Sequence, residues 1–205
     1  MSFADTLSAS RVLPVVTPRG VDVTVRTAEA LLAGGMRAVE ITLRTPDALD
    51  SLRAVKQRLP ELVVAAGTVR DAASVDAAVD AGADFCVSPG ISGAMLDACA
   101  ARGVPFLPGV ATASEVLLGT SAGLSLFKLF PAVAVGGMEL LRSLRGPFPE
   151  VRFCPTGGLG PDNYRDFLAL PNVICCGGSW MVAADLIDNE RWDRVEALAR
   201  EALAV

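Results

Sequence analysis

Histidine is absent from the 205-residue chain, and lysine occurs only twice, as Lys56 and Lys128, against sixteen arginines. Without an imidazole there is no histidine base, no His–Asp or His–Cys triad and no histidine-held catalytic zinc, so no metal site is expected. Clustered basic residues are also missing. The net charge is −5 and the pI about 4.8, which argues against a nucleic-acid partner. An acidic chain can still bind a small anion where a pocket supplies backbone N–H groups and one or two cations. The five cysteines contain no CxxC pair, and Cys175 and Cys176 adjoin within an apolar run. They read as small buried hydrophobes. No apolar run approaches the roughly 18 residues of a membrane span, so no membrane partner is expected. The start of the sequence lacks the basic-then-apolar pattern of a secretory leader, which makes a cytoplasmic location the default expectation. No glycine-rich dinucleotide fingerprint is present, and no cofactor is expected.

What the chain has is apolar bulk, 52% hydrophobic residues with a mean hydropathy of +0.46. On a compact domain such a surplus points to a subunit interface. Short apolar runs alternate with segments of helical period. Strands are predicted near 12–16, 37–43, 62–66, 84–88, 105–108, 125–130, 151–155 and 173–177. Helices are predicted near 22–33, 47–58, 71–80, 93–101, 113–119, 137–144, 161–168 and 190–203. Gly35, Gly82, Gly103 and Gly123 each stand just before a strand, where glycine can close the preceding helix with positive φ. Proline at Pro60, Pro149 and Pro171 marks three further junctions. Asp22 and Asp71 look like helix caps and Pro161 suits a first helical turn. Eight strand–helix units without a linker predict one α/β domain over residues 1–205, a (β/α)₈ TIM barrel. Residues 1–10 form an N-terminal extension, and an open doubly wound sheet is the alternative.

Alternation within the strands selects candidate site residues. In the second strand Val39, Ile41 and Leu43 share the helix-facing side, leaving Glu40, Thr42 and Arg44 for the barrel interior. A buried acid and base on one strand face form either a structural ion pair or working groups, an acid/base and an anion clamp. Lys56 lies on a helix among arginines and reads as solvated. Lys128 instead sits inside an apolar strand, opposite in facing to Phe127 and Leu129. Desolvation there disfavours the ammonium, and a neutral amine is what attack on a ketone requires. The alternative is a lysine paired with a buried carboxylate such as Glu40, which could also carry protons. Two glycine-rich turns, PTGG at 155–158 and GGSW at 177–180, follow the last two strands, where barrels often bind phosphate. Each could equally be a plain tight turn. Thr68 and Ser88 offer hydroxyls at the same rim.

These segments together resemble the 2-keto-3-deoxy-6-phosphogluconate (KDPG) aldolase / 4-hydroxy-2-oxoglutarate aldolase family. The likeness runs from about residue 11 to the end. It rests on VEITLRT at 39–45, AGTV at 66–69, SPG at 88–90, FKLFPA at 127–132, RFCPTGG at 152–158 and GGSW at 177–180. The resemblance implies a Schiff base on Lys128, with Glu40 as general acid/base. Arg44 and Thr68 would hold the pyruvate carboxylate and Pro89 would pack against it. Phe130 joins the substrate-binding set. Thr156, Gly157, Gly158, Gly178 and Ser179 would hold the far end of a phosphorylated keto-acid, including its phosphate. It further implies a homotrimer without cofactor, releasing pyruvate and glyceraldehyde 3-phosphate in the Entner–Doudoroff pathway, with 4-hydroxy-2-oxoglutarate as a possible second substrate. The competing readings are a phosphogalactonate aldolase, a phosphosugar isomerase or epimerase using Glu40 without a covalent adduct, and a non-catalytic phosphometabolite-binding module.

Overall fold

The four glycine junctions are helix ends as the sequence predicts. Gly35, Gly82, Gly103 and Gly123 adopt φ of 98°, 92°, 61° and 84°, and each is followed three residues later by the first residue of a strand. The computed structural model describes residues 3–204. Its elements begin with α1 (Phe3–Ser10), β1 (Val12–Val16), α2 (Val21–Ala33), β2 (Ala38–Thr42), α3 (Ala48–Arg58) and β3 (Val63–Gly67). Next come α4 (Ala72–Asp80), β4 (Phe85–Val87), α5 (Gly93–Arg102), β5 (Phe106–Leu107), β6 (Gly109–Val110) and α6 (Ala113–Ser121). The chain continues with β7 (Leu126–Leu129), α7 (Gly137–Arg145), β8 (Arg152–Pro155), α8 (Tyr164–Leu168) and β9 (Cys176–Gly178). A 3₁₀ turn at Trp180–Val182, α9 (Ala184–Asp188) and α10 (Trp192–Leu203) complete it.

All strand pairs are parallel. One sheet runs β5-β4-β3-β2-β1-β9 and a second β6-β7-β8. Two links close them into a barrel. β5 and β6 are halves of one barrel strand separated by Pro108, which has no N–H to give to a ladder. Bridges Phe153↔Val173 and Thr156↔Gly177 join β8 to the β9 segment. The circuit therefore holds eight barrel strands, and the open-sheet alternative fails.

Apolar residues fall into two layers. Val39, Ile41, Val64, Phe127 and Phe153 pack outward against helix residues such as Leu31, Leu52 and Val55. Each leucine so buried contributes about 1.5–3 kcal/mol. Leu13, Ala38, Ala65, Phe85, Leu107, Cys154 and Cys175 fill the barrel axis. α1 belongs to this inner layer. Its Leu7 is fully buried there, and the Phe3 ring lies 5.0 Å from that of Phe85. The N-terminal segment, read from sequence only as an extension, thus plugs the barrel floor; Met1 and Ser2 lie outside the described residues.

Several local expectations need correction. The predicted second strand stops at Thr42, so Leu43 and Arg44 lie in a turn. The fifth strand runs beyond 108 to Val110. Gly20 rather than Asp22 occupies the N-cap of α2, and Asp22 stands in the first turn, where its charge suits the helix dipole. Pro161 lies before α8, which begins only at Tyr164. Asp71 does cap α4, in a reciprocal box with Ser74. The five cysteines are free and buried.

Candidate active site

Lys128 and Glu40 meet inside the barrel. Alternation turns Lys128 of β7 inward between the outward-facing Phe127 and Leu129, and turns Glu40 of β2 inward between Val39 and Ile41. The two strands are not neighbours in the sheet, so the side chains reach toward each other across the interior. Lys128 Nζ lies 3.1 Å from Glu40 Oε1 and 3.3 Å from Oε2. Lys128 is 3% exposed and Glu40 1%. Unpaired, either charge would be costly at this depth. Paired, they form a bidentate, charge-assisted contact along which a proton can move. The Phe130 ring, 5.2 Å from Nζ, shields the ammonium on another side.

The other candidates lie in loops that follow the C-terminal ends of the strands, and of these Arg44 and Thr68 are in direct contact. Arg44 has left β2 and is exposed, but its Nε donates to Thr68 Oγ1 at 3.1 Å. Thr68 itself holds φ of 61°, a left-handed conformation that a β-branched residue rarely adopts and that gathers at working sites. Pro89 is exposed at the next loop. That loop is fixed by Ser88, whose Oγ donates to Gly90 O and accepts from Gly109 N. Thr42, the inward residue of β2 nearest the rim, instead ties strand to strand, donating to Val16 O at 3.1 Å.

The last two turns are also built around close approaches. Gly157 and Gly158 have φ of 100° and 82°, which fits them to a turn that exposes backbone. Thr156 is buried, its Oγ1 donating to Cys154 O at 3.3 Å. Ser179 follows β9 and borders a cavity of about 300 Å³ that Thr17, Arg19, Val182 and Ala183 also line. Arg19 is a site candidate that the sequence reading missed. The signal was a lone cation in the Pro18-Arg19-Gly20 turn directly after a barrel strand. Its Nη1 pairs with Asp188 Oδ1 at 2.5 Å. Lys56, expected to be solvated, is partly exposed and pairs with Asp84 Oδ2 at 2.7 Å. Burial pushes the Cys176 thiol up, consistent with a packing role. Among the described residues no group of His, Cys, Asp and Glu could hold a metal ion.

A closed parallel barrel with one amine held dry against one carboxylate at its interior is the architecture of a barrel aldolase. A family model described as KDPG and KHG aldolase matches residues 3–198, and the chain belongs to that family. KHG/KDPG aldolase of Escherichia coli strain K12 is 46% identical over 197 residues, covering 96% of this chain and 92% of its own. KDPG aldolase of Legionella pneumophila, solved with pyruvate captured as a covalent carbinolamine, matches with a TM-score of 0.96 at 40% identity over 98% of each chain. The 2-keto-3-deoxy-6-phosphogluconate aldolase of Zymomonas mobilis, solved with 3-phosphoglycerate, matches with a TM-score of 0.93 at 41% identity, over 98% of this chain and 95% of that one. The chain is accordingly a carbon–carbon lyase, and the isomerase and binding-module readings fall. No helix of the described residues is long and apolar enough to cross a membrane.

Proposed function

We propose that the protein cleaves 2-keto-3-deoxy-6-phosphogluconate to pyruvate and glyceraldehyde 3-phosphate through a Schiff base on Lys128, with Glu40 as the proton carrier. One observation carries the reading: a lysine 3% exposed has its Nζ within 3.1 and 3.3 Å of both oxygens of a single buried carboxylate. Transfer of one ammonium proton to Glu40 frees the nitrogen lone pair, which adds to C2 of the ketone. Glu40 returns its proton to the C2 oxygen, and loss of water leaves an iminium. That cation draws in the electrons of the C3–C4 bond as the C4 hydroxyl proton passes, through a water, to Glu40. The aldehyde departs, Glu40 protonates C3 of the enamine, and water releases pyruvate. Proton transfer of this kind contributes about 10²–10⁴-fold in rate.

The rim supports the assignment of the substrate's two ends. Arg44 and Thr68, 3.1 Å apart, would take the keto-acid carboxylate, with Pro89 against it, and Phe130 would close over the carbon chain. Thr156, Gly157, Gly158, Gly178 and Ser179 would receive the phosphate. Arg19, which lines the cavity with Ser179, would turn from Asp188 to the phosphate on this reading. 4-Hydroxy-2-oxoglutarate is a second substrate on this reading, favoured by the naming of the Escherichia coli relative for both activities. The same reading makes the enzyme a cytoplasmic homotrimer, in keeping with its apolar surplus and free thiols.

Sodium borohydride with pyruvate tests the covalent step. Mass is expected on the Lys128 peptide alone, and labelling at Lys56, or nowhere, would overturn it. A panel of the gluconate, galactonate and hydroxyoxoglutarate substrates then ranks the activities, with the phosphogluconate expected to turn over fastest.

A further inference from the structure

Glu40 reaches Lys128 by crossing a point where the neighbouring strand carries no side chain. β2 and β3 run parallel, with Glu40 opposite Ala65 and Thr42 opposite Gly67. Side chains in strands lean along the strand direction, and Glu40 leans two residues toward the rim, over the Cα of Gly67. A Cβ built on Gly67 would stand 2.3 Å from Glu40 Oε1, 2.6 Å from its Cγ and 2.8 Å from its Cδ. No carbon sits that close to three atoms of a buried side chain, so Glu40 could not keep this course beside an alanine. The backbone of Gly67 makes no such demand itself, because it is not among the positive-φ glycines and an alanine would be unstrained there. Among the described residues Lys128 alone hydrogen-bonds the Glu40 carboxylate. Its place is therefore set by the amine on one side and the bare Cα on the other.

We propose that Gly67 is a positioning residue for the reaction: it provides the slot that holds the Glu40 carboxylate against Lys128 and within reach of the reacting carbons. The proposal rests on the assignment of Lys128 and Glu40 above. It makes the glycine of β3 a determinant of proton transfer rather than of substrate binding, since the carboxylate-holding groups, Arg44 and Thr68, lie beyond it.

Three measurements test it, on purified wild type and on Gly67→Ala, Glu40→Gln and their double variant. In Gly67→Ala, kcat and the exchange of pyruvate methyl protons should fall about 10²-fold or more, while KM for the keto-acid moves less than about threefold, because uniform binding is retained. Borohydride trapping of pyruvate on Lys128 should persist. Glu40→Gln keeps the shape and loses the proton carrier, so adding Gly67→Ala to it should cost little more; losses that multiply would show that Gly67 acts independently of Glu40 and overturn the proposal. Full exchange in Gly67→Ala would also overturn it. Wild type that fails to trap at Lys128 would instead remove the underlying reading, so the two failures are distinct. Should Gly67→Ala not fold, Glu40→Ala with Gly67→Ala decides. Emptying the slot should restore the melting temperature of Glu40→Ala alone, and failure to restore it places the clash elsewhere and rejects the proposal.

Discussion

At the scale of single residues, the Lys128–Glu40 pair sets function against stability. Two charges taken out of water recover that cost only through each other. Replacing Glu40 by leucine strands the ammonium and should lower stability by about 3–5 kcal/mol, whereas Lys128→Met with Glu40→Leu, an apolar pair of similar size, should recover most or all of it. Urea unfolding at fixed protein concentration measures both. A double variant as unstable as the single one would mean that the pair shapes the barrel beyond its own charges. Both variants should be without aldolase activity. Much of this site was legible from residue chemistry. A lysine inside an apolar strand is anomalous, and alternation alone turned it and Glu40 to the same interior. What alternation could not give was reach. It did not reveal that Arg44 leaves its strand after Thr42, or that Thr68 takes a left-handed turn to receive it. Nor could it find Asp84, 28 positions from Lys56, as the partner of the second lysine.

At the scale of elements, the helix–strand contact behind Lys128 is unusually tight. α6 lies directly on β7, and a Cβ on Gly119 would come 2.2 Å from Cε1 of Phe127, a ring that is fully buried. Alanine in place of a helix-interior glycine ordinarily gains about 1 kcal/mol. Here overpacking of about 1–3 kcal/mol should outweigh it, so Gly119→Ala is expected to lower the melting temperature and to slow pyruvate trapping as β7 shifts. A raised melting temperature with full trapping would mean that the contact relaxes freely. Element boundaries followed the sequence at the four positive-φ glycines and at the Asp71 cap, while the cap expected at Asp22 and the helix start expected at Pro161 each fell elsewhere. They escaped it where tertiary fit decided. Pro108 breaks the fifth strand without ending it, and α9, only five residues long, has too few turns to show a period.

At the scale of the whole molecule, the apolar surplus has two destinations. Part is spent in the closed barrel, whose eight units the strand–helix rhythm foretold. Part remains outside, on α6, where Leu117 is 55% and Leu118 43% exposed. Sedimentation equilibrium should give a mass three times the 21.2 kDa of the chain; a monomer at micromolar concentration would dismiss the trimer. The floor of the barrel was invisible in sequence, because eight residues of α1 bear no mark of where they dock. With Phe3 and Leu7 packed into the same inner layer as Phe85, that end of the barrel is filled. On the proposed covalent route the two fragments part in sequence: the keto-acid half stays tethered to Lys128 while the aldehyde half departs toward the rim. Run in reverse, that proposed route takes the keto-acid first and the aldehyde second, an order set by the covalent bond, while the filled floor leaves the rim as the side of approach.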